Sequence, residues 1–124
     1  MQRNEPFLGG MTSRACSIDE HARRPVRALN AEHLHAAARM LAAAGDVNRL
    51  KLLVLLRSGR SDVVGLATSL GRRSSYISQQ LAVLRGANLV RAERRGTRVI
   101  YSLVDHHAEQ LVDAALAFAF TRKG

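Results

Sequence analysis

Two sets of residues in this chain have side chains able to do chemistry. The first set consists of metal-ligand types: Asp105-His106-His107, His33 and His35, and Cys16 and His21. Imidazole, thiolate and carboxylate are the donors that transition ions take. Their spacing is poor for one site. His33 and His35 stand two residues apart, so on a helix they leave on different sides. Cys16 and His21 fall in a stretch with no sustained period. Asp105 also has a plainer use, as the cap of a helix with His106 and His107 in its first turn.

The second set is basic and polar. Between Arg72 and Arg98 stand Arg72, Arg73, Arg85, Arg91, Arg94, Arg95 and Arg98, against Glu93 as the one acid. Guanidinium groups bind phosphate and guanine bidentately. Among them runs SSYISQQLAVLR, Ser74 to Arg85, in which Ile77, Leu81 and Leu84 recur at i, i+4 and i+7. Those three make a buried face. Ser75, Gln79 and Ala82 then point the opposite way, with Ser74, Ser78 and Arg85 beside them. Such a face is also what an ordinary solvated helix presents, and its neighbours decide between the two readings. A compact outward face of hydroxyl and amide groups suits base edges in a major groove, where Gln can pair with adenine. The candidate DNA contacts are Arg72, Arg73, Ser74, Ser75, Tyr76, Ser78, Gln79, Gln80, Arg85, Arg94, Arg95 and Arg98.

The elements that must position this set are readable from period and punctuation. Ser61 or Asp62 caps a short helix whose buried side is Val63, Leu66, Ala67 and Leu70. Gly71 to Arg73 form a turn, and Ser74 or Ser75 caps the reading helix. Gly86-Ala87-Asn88 end it. Leu89 to Arg94 and Arg98 to Tyr101 read as strands, with Gly96 in the tip between them. A helix-turn-helix followed at once by a basic hairpin is the outline of a winged DNA reader.

Upstream, Asn30 caps a helix from Ala31 to about Ala44, Gly45 ends it, and Asp46 caps a second helix reaching about Ser58. Leu50 and Leu52 to Leu56 cover most of that second helix, so it is central. The last helix runs from about Asp105 to Arg122. After Gln110 it is apolar nearly all round, with Asp113 the only polar residue up to Phe120. Two apolar faces call for two partners, the chain's own core and a second copy. The expected dimer contacts are Leu34 and Leu41 of the first helix with Leu111, Val112, Ala115, Leu116 and Phe118 of the last.

Composition bounds the rest. With 124 residues, 47% of them hydrophobic, the chain suits one domain, taken as residues 30–122, after a flexible basic arm over residues 1–29. A net charge of +9 favours a polyanionic partner, and nucleic acid comes first because the charge sits on turns and a hairpin. Aromatics at 4% leave little stacking surface for single strands. One cysteine and no signal-like apolar run lead to the expectation of a cytoplasmic protein with no membrane partner. No phosphate-binding Gly loop, G-x-S-x-G or H-E-x-x-H occurs, so no enzyme is expected.

From about Leu34 to Phe118 the chain resembles the ArsR/SmtB family of bacterial winged-helix repressors. The residues that carry the likeness are LAAAGDVNRLKLLVLL, then DVVGLATSLGRRSSYISQQLAVLRGANLV, then RAERRGTRVIYSLVDHHAEQLVDAAL. The resemblance implies a mainly α, dimeric winged helix-turn-helix of four helices, a two-strand wing and a fifth helix. It also implies repression at a palindromic operator until an inducer, often a metal ion, releases the DNA. The family's thiolate site needs cysteines on the third helix, where this chain has Asp62-Val63-Val64-Gly65-Leu66. The fifth-helix site of the family's zinc, nickel and cobalt sensors opens with Asp-x-His, which Asp105 and His107 match. Its second half, shared across the dimer, falls here on Phe118 and Thr121, which are not usual ligands. The reading is therefore a repressor whose inducer is unidentified, with Asp105 and His107 as an incomplete site for Zn, Ni or Co. The alternative is a sequence-neutral or architectural binder of double-stranded DNA.

Overall fold

The computed structural model describes residues 30–123. Their order is α1 (Ala31–Ala44), α2 (Val47–Ser58), α3 (Val63–Leu70), α4 (Ser74–Gly86), β1 (Val90–Arg95), β2 (Arg98–Leu103) and α5 (His106–Lys123). This is the winged helix-turn-helix order that the hydrophobic periods predict. The expected arm, residues 1–29, lies outside the described residues, as do Cys16 and His21.

Helix starts follow local chemistry. Asn30 Oδ1 accepts from the His33 amide at 2.8 Å. Asp46 Oδ2 accepts from Asn48 N and Arg49 N, each at 3.0 Å. Asp62, and not Ser61, caps α3 by accepting from Gly65 N at 2.8 Å. Asp105 Oδ1 accepts from His107 N at 3.0 Å and Ala108 N at 3.2 Å. Each carboxylate or amide satisfies donors that the first turn of a helix leaves open.

The helix-turn-helix is closed at both ends by the same device. At the end of α3, Gly71 takes a left-handed conformation with φ 65°. Gly71 N then donates to Thr68 O at 3.3 Å and Arg72 N to Ala67 O at 3.1 Å. At the end of α4 the left-handed residue is Asn88, with φ 63°, and not the nearby Gly86. Asn88 N donates to Arg85 O at 2.9 Å and Leu89 N to Leu84 O at 3.0 Å. Asn tolerates this conformation better than other side chains. Both ends of the reading helix are thus set by backbone bonds.

The core gathers Leu52, Leu53 and Leu56 from α2, Leu66 and Ala67 from α3, and Ile77, Leu81 and Leu84 from α4. Leu89, Val90 and Leu103 add the root of the wing, and Ala108 and Val112 add the start of α5. β1 and β2 pair antiparallel from Val90↔Leu103 to Arg95↔Arg98, leaving Gly96 and Thr97 as a two-residue loop. Gly96 has φ 65°, the backbone that such a tight loop demands. A third segment joins the sheet: Ser61 bridges Tyr101, with Ser61 N to Tyr101 O at 3.0 Å and Tyr101 N to Ser61 O at 2.7 Å. Sequence period gives no sign of it, because a single bridging residue has none.

The last helix corrects one expectation. Val112 is 1% exposed in the chain's own core, and Leu111 is half-buried against it, so Val112 does not serve a dimer contact. The two apolar faces are divided along the helix instead of around it. Ala108 to Val112 dock on the core, while Ala114 to Phe120 stay exposed. Arg57 at the end of α2 fixes the changeover, with Nε to Asp113 Oδ1 and Nη2 to Asp113 Oδ2, both at 3.0 Å.

Two substitutions test this packing. Leu53→Ala, at a site with no exposure, is expected to lower unfolding free energy by about 2–5 kcal/mol. Asp46→Ala is expected to cost about 1 kcal/mol through loss of the α2 cap. Urea denaturation followed by circular dichroism measures both.

Candidate nucleic-acid interface

The reading helix starts without a side-chain cap. Arg73 occupies the cap position with extended backbone (φ −69°, ψ 145°) and offers no capping hydrogen bond. Ser74 is already helical, so neither Ser74 nor Ser75 caps α4 as their residue types suggest. The reason lies in the preceding closure, which fixes the chain through Arg72 and makes Arg73 the last extended residue. The amides of the first turn are consequently left without a side-chain acceptor at the start of a helix, where an anion is favoured.

Burial fixes which side of α4 faces out. Ile77, Leu81 and Leu84 have no exposure, while Ser74, Ser75, Ser78, Gln79, Ala82 and Arg85 are exposed. Gln80 sits differently. Its Oε1 accepts from Arg49 Nη1 at 3.1 Å, and Arg49 Nε donates to Ala43 O at 2.7 Å. Gln80 therefore ties α4 to the α1–α2 corner and is removed from the outward group. Tyr76 is half-buried, and the Arg72 guanidinium lies 3.8 Å from its ring centroid. Arg72 Nη1 also reaches Asn48 Oδ1 at 3.4 Å. The Arg72–Tyr76 pair thus packs along the turn as a cation–π unit.

The arginines of the turn, the reading helix and the wing fall into two groups. Arg98 Nε and Nη2 donate to Asp62 Oδ2 at 3.0 and 2.7 Å. Arg95 pairs with Glu93 at 3.2 Å, and Arg91 Nε donates to Ser102 Oγ at 3.2 Å. Arg73, Arg85 and Arg94 are exposed and make no side-chain hydrogen bond or ion pair among the described residues. The guanidinium groups that the sequence treats alike are therefore unequal. Asp62 and Arg49 are the residues that sequence reasoning misses. Asp62 reads as a cap and nothing more, and a partner 36 positions away leaves no periodic trace.

At the start of α5 the half-site is weak. Asp105 Oδ1 is occupied by two backbone amides and lies 3.8 Å from His107 Nδ1. The His106 and His107 rings lie with centroids 4.0 Å apart. Among the described residues no three His, Cys, Asp or Glu side chains gather where they could hold one ion. Phe118 carries the Arg122 guanidinium 3.8 Å over its ring, and Thr121 Oγ1 donates to Ala117 O at 2.8 Å. Neither residue is a donor waiting for a metal. His33 and His35 are exposed on α1. The described residues of one protomer do not by themselves fit a transition ion.

The pattern of the arsR family of bacterial regulatory proteins matches residues 46–92, which run from the α2 cap into β1. The regulator NmtR of Mycobacterium tuberculosis is 38% identical over 97 residues, covering 78% of this chain and 81% of NmtR. The chain belongs to the arsR family. This ArsR-family chain also superimposes on the homodimeric winged helix-turn-helix DNA-binding domain of Mb0332 from Mycobacterium bovis. That match has a TM-score of 0.72 at 30% identity, over 82% of this chain and 92% of the other. It is similar as well to the antimony-specific transcriptional repressor AntR (TM-score 0.70, 25% identity, 88% and 98% covered). The ArsR-family chain is a DNA-binding transcriptional regulator. No helix among its described residues is long and apolar enough to cross a membrane.

Three carboxyls of this ArsR-family chain are held below the usual carboxylate range. For Asp62 the Gly65 amide is the main cause, then the Arg98 guanidinium. For Asp105 it is the Ala108 amide, and for Asp113 the Arg57 guanidinium. Depressed values in the folded state mean that stability is present above the unfolded carboxyl value, about 4. It is lost as pH falls through the folded values. The urea midpoint is expected to drop below about pH 4. An Asp105→Asn, Asp113→Asn double variant should show a shallower acid loss.

Proposed function

We propose that the chain is a homodimeric repressor of a two-fold-symmetric operator, with residues 30–122 forming the DNA-binding and dimerisation domain. The observation that carries this reading is the exposed Ser75–Ser78–Gln79 face on a helix whose opposite side is fully buried. Ser75, Ser78 and Gln79 read base edges, and Ser74 and the first-turn amides meet backbone phosphate. Arg73, Arg85 and Arg94 supply most of the salt-sensitive affinity, and Arg72 stiffens the turn from its place on Tyr76.

The second copy covers apolar surface that a lone protomer leaves open. Leu34 and Leu41 on α1 are 53% and 56% exposed, and Phe118 and Phe120 on α5 are 59% and 84% exposed. With Ala115 and Leu116 they supply the dimer contacts, and the two-fold axis sets two reading helices about one DNA turn apart. Operator DNA as the partner places the protein in the bacterial cytoplasm. Release requires an effector that binds the DNA-incompetent dimer more tightly than the competent one. Asp105 and His107 do not suffice for Zn, Ni or Co on their own, so no step is routed through a metal.

A duplex recovered by binding selection from a randomised pool provides the test. Gln79→Ala is expected to weaken that duplex by roughly 5- to 150-fold, the value of one base contact, and to leave random duplex unchanged. Equal losses on both would remove Gln79 as a base reader, and equal wild-type affinity for both would favour the sequence-neutral alternative. Phe118→Glu should convert the dimer to monomer in analytical ultracentrifugation and lower operator affinity with it. A monomeric wild type would refute the dimer.

A further inference from the structure

The wing of a winged helix-turn-helix is a two-strand hairpin, and two strands alone are marginal in water. Its angle to the reading helix must be held by something other than its own hydrogen bonds. At its root, the Ser61–Tyr101 backbone pair fastens β2 to the segment before α3. Val90 and Leu103 seat the base of the hairpin in the core, but beyond them this one bridging residue is the backbone tie between β2 and the segment before α3. Its two hydrogen bonds can open and let the tip half swing. Arg98 stands three residues earlier in β2, roughly 10 Å nearer the tip at strand rise. Its side chain turns back to the protein and places two guanidinium donors on Asp62 Oδ2 at 3.0 and 2.7 Å.

Asp62 is shared. Its Oδ1 caps α3 through the Gly65 amide while its Oδ2 holds Arg98. One carboxylate therefore joins the first helix of the helix-turn-helix to the tip end of the wing. The local chain is cut to suit it. A Cβ at position 65 would stand 2.6 Å from Ser61 Oγ and 3.2 Å from Asp62 Oδ1, so a side chain there would crowd the turned-back carboxylate. The Asp62 side chain is 22% exposed and that of Arg98 66%. An ion pair this open adds little to global stability. Its effect lies in geometry: an attachment nearer the tip keeps the Ser61–Tyr101 pair from opening.

We propose that Asp62 is a positioning residue for DNA binding: it clasps Arg98 and thereby sets the wing at the angle from which Arg94 meets the DNA backbone. Arg98 is then part of the clasp and not a phosphate contact, although its residue type and place in the wing suggest one. The proposal rests on the DNA-reading assignment above, and the two can fail separately.

The test is a double-mutant cycle on the full chain with the selected duplex. Asp62→Asn keeps an oxygen to cap α3 but loses the charge, and Arg98→Ala removes the clasp without touching the cap. Each is expected to weaken the duplex about threefold or more, and the double variant should be no weaker than the weaker single. The dependence of log Kd on log salt should keep its wild-type slope in all three. Hydrogen exchange of the Tyr101 amide, measured without DNA, should speed up equally in the singles and no further in the double. A phosphate-gripping Arg98 predicts the opposite: a slope lowered by about 0.9 in Arg98→Ala, with Asp62→Asn binding as tightly as wild type or tighter. That result, losses that add, or no loss in either single would overturn the clasp. Unchanged Tyr101 exchange would overturn it even if the duplex data failed. Wild type that does not discriminate selected from random duplex would instead sink the DNA-reading assignment, leaving the exchange cycle to judge the clasp.

Discussion

The rotation of α4 about its own axis is the constraint on which the interface depends. Ile77, Leu81 and Leu84 have no exposure, and each is surrounded by side chains from other elements of the core. Turning the helix by one residue, about 100°, would bring those three toward water and carry Ser78, Ala82 and Arg85 into the core in one sense, or Tyr76, Gln80 and Val83 in the other. Each buried side chain of this kind is worth about 1.5–3 kcal/mol, so the sum far exceeds what any surface contact could offset. The outward face of Ser and Gln is thus a consequence of burying the inward one.

Rotation alone leaves sliding and tilting free, and three smaller devices limit them. The left-handed closures at Gly71 and Asn88 hold the two ends of the helix by backbone bonds. The third is the Arg49 guanidinium, which links Ala43 O in α1 to Gln80 in α4. Gln80 is adjacent to Gln79 in sequence yet about 100° around the helix, and that offset separates a group facing the protein from one facing solvent. One guanidinium thus spans the end of α1 and the middle of α4 with two hydrogen bonds.

The fold is largely readable from the sequence because its signals are local. Caps, left-handed closures and the i, i+4, i+7 period depend on residues within a turn or two of each other, and Asn30, Asp46, Asp62 and Asp105 all cap where their type and place suggest. The candidate site is less so. Residue type marks Arg72, Arg95 and Arg98 as equal to Arg73, Arg85 and Arg94, yet the first three have partners in the protein: Tyr76, Glu93 and Asp62. Which guanidinium is engaged depends on contacts made across the fold, and a one-dimensional pattern cannot carry that. The missing cap on α4 has the same origin. Ser74 and Ser75 have the right chemistry, but the closure after α3 fixes the backbone one residue too early for either to use it.

The division of α5 follows from length. Eighteen residues span about 27 Å, more than the Ala108–Val112 side needs to close the core. The Arg57–Asp113 pair stands where the docked half meets the uncovered half, and a charged pair there ends the protomer's own packing. Beyond it the positions that resemble a family metal site carry Phe118 and Thr121. Phe118 is engaged by Arg122, and the Thr121 hydroxyl is spent on the backbone. A helix end built this way presents apolar side chains, Phe118 59% and Phe120 84% exposed, where metal donors would have to stand.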